Sequence, residues 1–145
     1  MAKCSGITNA GAVDVIIFTH PACLAHDPGS QHPERPARLE AVLESLRTAH
    51  GDLEWREAPA VKLGDLRRVH GEALIQAVLE AEFQGYRMLD PDTVMVPASR
   101  MAALHAAGAG VAAVDAVMKG DASTAFCAVR PPGHHATSDT AMGFC

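Results

Sequence analysis

Two adjacent histidines, His134 and His135, follow the stiff segment Arg130-Pro131-Pro132-Gly133 near the end of this 145-residue sequence. Histidine is the side chain best suited to proton transfer near neutral pH. Two in succession can divide the work, one moving protons and one stabilising charge. A His-His pair on a turn, taken alone, is more often a solvated surface feature. Its setting here argues otherwise. Ser123 to Val129 (STAFCAV) is a strand candidate, so the pair would stand just past a strand's carboxyl end, where ligands bind in open α/β sheets. Beyond it, Gly143-Phe144 offers a small residue beside a flat aromatic wall.

These side chains need a scaffold, and the sequence outlines one. Residues 1–12 are small and polar and read as a disordered or tag-like terminus; residues 13–145 read as one domain. Val13 to Thr19 (VDVIIFT) is a β-branched run, predicted as a buried strand. His20 to Pro36 is rich in Pro and His and is predicted as a long irregular loop. Leu39, Val42, Leu43 and Leu46 then form one apolar helical stripe, with Pro36 in the first turn. Gly64 to His70 reads as a helical turn that Asp65 could cap, and Glu72 to Gln84 as a helix ended by Gly85.

Asp90 to Pro97 is expected to be a loop or short extended piece. Ser99 to Lys119 is expected to be a long helix with a Ser N-cap and Gly120 at its end. That helix is smooth with Ala and Gly, so a neighbouring backbone can approach it closely. Gly108 and Gly110 each cost about 1 kcal/mol of helix propensity relative to Ala, which packing must offset. Strand, helices, strand is the order of a parallel α/β sheet.

Composition narrows the function. The net charge is -5, with no Lys/Arg cluster, so a direct nucleic-acid partner is not expected. Apolar runs such as Val15 to Phe18 are far too short for a bilayer, and no secretory pattern opens the sequence. Cys4, Cys23, Cys127 and Cys145 are widely spread, without C-x-x-C, and are read as reduced thiols in a cytoplasmic protein.

The quoted residues carry a resemblance. Arg130 to Ala136 (RPPGHHA), followed by Met142-Gly143-Phe144-Cys145, resembles the motif of the histone deacetylase family, including its acetylpolyamine amidohydrolases. His32-Pro33-Glu34-Arg35-Pro36, with Arg38-Leu39, is similar to that family's first loop and helix, and Asp92-Thr93 to its substrate loop. The resemblance covers roughly residues 13–145. It implies the N-terminal part of an arginase-like three-layer parallel-sheet α/β fold, and zinc-dependent hydrolysis of N-acetyl amides of lysine or polyamines.

By position, it implies His135 as general base and later acid, and His134 as a stabiliser of charge at the scissile amide. Asp92 would hold the substrate backbone, Gly143 and Phe144 would wall an acyl-lysine tunnel, His32 would shape the site, and Arg38 would be a buried arginine at its foot. The family's zinc ligands would lie beyond Cys145. The metal, Zn2+, is therefore expected in a longer parent and in none of these residues, and the isolated chain is expected to be inactive. A missing remainder of the sheet would leave the strands Val13–Thr19 and Ser123–Val129 with open edges, so self-association is expected.

Rival readings stand beside this one. A non-catalytic, deacetylase-like binding module would also keep the motif. A metal site at His20, Cys23, His26 and His32, with Asp27 joining, has loose, Pro-rich spacing; these residues fit a rim better. His50, His70 and His105 read as structural, Trp55 and Tyr86 as packing, and Cys127 as a small buried hydrophobe. Gly108-x-Gly110 lies within a helix rather than at a strand-to-helix turn, which weighs against a nucleotide loop.

Overall fold

The computed structural model describes residues 14–79 and 83–145. The reading of residues 1–12 therefore lies outside the described residues. β1 (Val15–Thr19) is the middle strand of a three-stranded parallel sheet, flanked by β2 (Glu54–Glu57) and β5 (Thr124–Cys127). Its β-branched sequence fits a strand buried on both faces. Ile16 and Phe18 point to one face and meet Ala58, Ala109, Ala116 and Ala122. Ile17 points to the other and meets Cys23, Leu39, Leu43 and Ala128. The period of two thus feeds two cores, and a helix covers each.

α2 (Pro36–Ala49) covers the Ile17 face, and Pro36 sits at its start, where a missing N–H costs nothing. Leu39 and Leu43 are buried, whereas Val42 turns partly to solvent. α5 (Ser99–Lys119) covers the Ile16/Phe18 face and ends at Gly120, whose φ of 80° is the left-handed cap. α5 is long and apolar enough to cross a bilayer by composition. Here it buries one face on the sheet through Ala102, His105, Gly108, Ala109 and Ala116. The close approach at Gly108 is to the segment after β2: an added Cβ would lie 1.9 Å from the Pro59 carbonyl oxygen. At Gly110 nothing lies within 4 Å.

Several expectations change. β1 is not an edge; it pairs on both sides, and among the described residues the outer strands are β2 and β5. The polar segment Glu54–Glu57 forms a strand that hydrophobic pattern did not announce, because an outer strand needs little apolar alternation. The irregular stretch after β1 contains a single-turn helix, α1 (Ala22–Ala25).

α3 (Leu63–Leu66) contains Asp65 rather than being capped by it. α4 spans Glu72–Leu79; residues 80–82, where the predicted helix continues, lie outside the description, and Gly85 takes a φ of 76°. β3 (Arg87–Asp90) and β4 (Thr93–Met95) form an antiparallel hairpin where a loop or extended piece was expected. Ser99 is the first residue of α5, not its cap, and its hydroxyl is used elsewhere.

Candidate active site

All three strands of the main sheet run parallel, so their carboxyl ends share one edge. Beyond β5 the chain reaches Arg130, whose bond to Pro131 is cis, and then the histidine pair. Arg130 is 3% exposed. A buried guanidinium needs a matched partner, and Glu34, 1% exposed, supplies it. Arg130 Nε and Nη2 donate to the two Glu34 carboxylate oxygens, each at 2.7 Å, a bidentate fork. Arg130 Nη1 donates to the backbone carbonyls of Cys23 and His26. One side chain thereby fastens the start of the histidine turn to α1 and the loop after it.

His26 extends the network. It is buried, with Nε2 3.3 Å from Glu34 Oε2 and Nδ1 2.7 Å from Ser99 Oγ. Burial pushes the Glu34 carboxyl pKa up, but the hydrogen bonds and charges of His26 and Arg130 outweigh it and hold the pKa down at about 2.

The second half of the site is the β3–β4 hairpin. Asp92 Oδ1 accepts the Gly143 N–H at 3.0 Å, and Thr93 Oγ1 accepts the Phe144 N–H at 3.2 Å. Gly143 and Phe144 both take positive φ, 61° and 70°. An added Cβ on Gly143 would lie 2.8 Å from the His135 ring, so glycine is required there. The Asp92 carboxyl pKa is lowered, first by side-chain hydrogen bonding with Asp90. Slight desolvation opposes this, and the Thr93 hydroxyl and the Gly143 and Phe144 amides add to it. His32 is half-buried; Nε2 lies 3.3 Å from the Asp92 carbonyl oxygen and the ring meets Phe144 edge-on at 5.2 Å.

His134 and His135 are exposed, with ring centroids 4.4 Å apart. The His135 N–H donates to Cys145 Sγ at 3.3 Å, which closes the 135–145 loop on itself. Among the described residues no hydrogen bond reaches either imidazole. His134, Phe144 and Cys145 line one part of a cavity of about 520 Å³, which continues between α4 and α5 past Leu74, Ile75 and Leu104.

The predicted residues His32, Asp92, His134, His135, Gly143 and Phe144 are thus brought together. Arg38 is not. Its side chain is 62% exposed, and Nη1 stays 3.8 Å from Glu34 Oε1. It precedes the inward-facing Leu39 by one residue, and the helical rotation of about 100° per residue turns it outward. The buried arginine is Arg130.

The rival metal set does not converge either. His20 pairs with Glu57 at 3.0 Å and stacks on His105 at 3.4 Å, Cys23 is buried under α5, and His26 and His32 have the partners already described. His70, read as structural, lies with Nδ1 3.1 Å from the Thr137 carbonyl oxygen and steadies the loop after the histidines. The roles of Glu34, His26 and Ser99 were missed. The signal available was the rule that a charge beside a buried strand end must find its opposite.

The sequence pattern of the histone deacetylase domain matches residues 32–145. The chain is 38% identical to the histone deacetylase-like amidohydrolase of Pseudomonas aeruginosa over 126 residues, which is 86% of this chain and 32% of that protein. It is 35% identical to a probable deacetylase of Archaeoglobus fulgidus, covering 90% of this chain and 37% of the other. It is 37% identical to the human polyamine deacetylase HDAC10, covering 77% and 18%. Among solved structures, the HDA15 HD domain superposes with a TM-score of 0.86 at 33% identity, covering 92% of this chain and 40% of that one. The chain spans about a third of the length of these first two relatives. The domain match over residues 32–145 and the shared arginase-like α/β fold together show that this chain is a member of the histone deacetylase family.

Proposed function

We propose that these residues form the proton-transfer and substrate-gripping part of a site that hydrolyses N-acetyl amides of lysine or of polyamines. One observation carries this reading. Asp92, through Gly143 and Phe144, holds an aromatic wall beside the histidine pair at the carboxyl edge of the sheet. An acyl amide lying against Phe144 presents its carbonyl carbon beside the two imidazoles. His135 then accepts a proton from the attacking water and returns one to the departing amine as the C–N bond breaks. His134 stabilises the charge that develops at the amide. Asp92 accepts a backbone or ammonium N–H of the substrate.

The family resemblance implies zinc, which would act as a Lewis acid when bound. Among the described residues no three His, Cys, Asp or Glu side chains converge as metal ligands. A catalytic zinc centre needs about three protein ligands, so these residues do not make one by themselves. Our reading is that the 145-residue polypeptide alone is inactive and that zinc is held with the help of residues outside it.

Both statements are testable. The whole protein, assayed with an acetyl-lysine peptide and an acetylpolyamine, should release acetate from at least one. His135→Ala should lower kcat by about 10²- to 10⁴-fold with zinc content unchanged. Full activity in His135→Ala overturns the role assigned to it. Zinc-dependent turnover by the purified 145-residue chain overturns its inactivity. Acyl-amide binding without turnover by the whole protein would favour the binding-module reading.

A further inference from the structure

The two halves of the site approach each other from elements far apart in sequence, and a buried imidazole joins them. The Val96 N–H donates to Ser99 Oγ at 2.8 Å, at the junction where the β3–β4 hairpin becomes α5. Ser99 Oγ lies 2.7 Å from His26 Nδ1, and His26 Nε2 lies 3.3 Å from Glu34, which is clamped by Arg130 at the head of the histidine turn. The hydrogen-bond directions follow. Glu34 is ionised and only accepts, so His26 Nε2 donates to it. In a neutral ring Nδ1 then accepts the Ser99 hydroxyl proton, while Ser99 Oγ accepts the Val96 N–H. No buried polar side-chain atom in the described structure is left without a partner. His26, Glu34, Ser99 and Arg130 are each under 5% exposed.

We propose that His26 is a positioning residue, an imidazole in one fixed tautomer that sets the spacing between the Asp92–Thr93 hairpin and the His134–His135 turn. His26 stands in the wall of the cavity, but both of its ring nitrogens are taken, one by Ser99 and one by Glu34. It acts through Ser99 on the hairpin and through Glu34 and Arg130 on the turn. Each ring nitrogen therefore controls one half of the site, and the two can be cut separately. A glutamine side chain reproduces the Nε2 donor and loses the Nδ1 contact. An asparagine reproduces the position of Nδ1 and loses the contact with Glu34.

The kinetic consequences rest on the deacetylase reading; the structural ones do not. In the whole protein, His26→Gln should free the hairpin. Hydrogen exchange at the Gly143 and Phe144 amides, held by Asp92 and Thr93, should speed up by about tenfold, while exchange around β5 stays unchanged. KM for the acetyl amide should rise about tenfold, with kcat within about twofold. His26→Asn should show the reverse, with kcat falling and KM nearly unchanged. Ser99→Ala should reproduce His26→Gln, and Ser99→Thr should restore wild-type behaviour. A ¹⁵N spectrum of the wild-type imidazole should show the Nε2–H tautomer alone.

If both His26 variants lose kcat and KM together, or leave the Gly143 and Phe144 amides as protected as in wild type, the proposal fails. If the wild-type protein hydrolyses no acyl amide, the deacetylase reading fails, and the exchange and ¹⁵N results still decide the role of His26.

Discussion

At the scale of single residues, Glu34 is the group whose environment is most informative. Its carboxyl is held at about 2, against an ordinary value of 4.5. The folded state binds its proton less readily than the unfolded chain. Its contribution to stability is therefore complete above pH 4.5 and is lost as the pH falls toward about 2. The shift corresponds to about 3 kcal/mol. Urea unfolding of the wild type should show that loss across this window, and Glu34→Gln should flatten it. The variant should also lose about 3–5 kcal/mol at pH 7, because Arg130 stays buried without its counter-charge. An unchanged pH profile in Glu34→Gln would show that the pair is not what the acid transition reports. This residue was in view in the sequence, inside His32-Pro33-Glu34, yet its importance was not. Several arginines lay near the motifs, and only burial tells Arg130 from Arg38. The histidine pair, Asp92, Gly143 and Phe144 were legible because their chemistry is carried by residue type and order rather than by which way a helix turns.

At the scale of elements, the contrast between two glycines of α5 measures how the helix meets its neighbours. Gly108 faces the backbone of Pro59 to Val61, whereas Gly110 faces open space. Gly108→Ala should destabilise the fold by about 1–3 kcal/mol through overpacking. Gly110→Ala should stabilise it by up to about 1 kcal/mol through helix propensity. Thermal melts of the two variants should move in opposite directions, and movement the same way would deny the close approach at Gly108. The span of α5 was readable from Ser99 and Gly120 and the Ala-rich stretch between. β2 was not readable, because Glu54-Trp55-Arg56-Glu57 carries no apolar alternation. Its place is settled by pairing with β1 and by Trp55, which packs on the α2 side with the Arg47 guanidinium 5.2 Å above its ring. The hairpin was legible only in part: a short extended piece was expected within Asp90 to Pro97, where β4 lies, but β3 and its antiparallel pairing were not.

At the scale of the whole molecule, the open edge expected at β1 is closed by pairing on both sides, and of the two strands expected to have open edges only β5 keeps one among the described residues. Its outer edge is unpaired among the described residues, and Phe126 on it is 46% exposed. The chain should therefore show a concentration-dependent mass by light scattering, and Phe126→Lys should lower it, because a charged edge resists pairing. A monomer at all concentrations would dismiss the expectation. The span of the site along the chain has a further consequence. Arg130 reaches back 96 residues to Glu34 and 107 to Cys23, and Gly143 reaches back 51 to Asp92. Contacts of such sequence separation carry a loop-closure entropy that local helices do not, and they form late. During synthesis, α2 and α5 can form soon after they leave the ribosome, but the histidine turn has no anchor until Arg130 itself emerges. The site can therefore close only after its last partners, from Arg130 to Phe144, have been made.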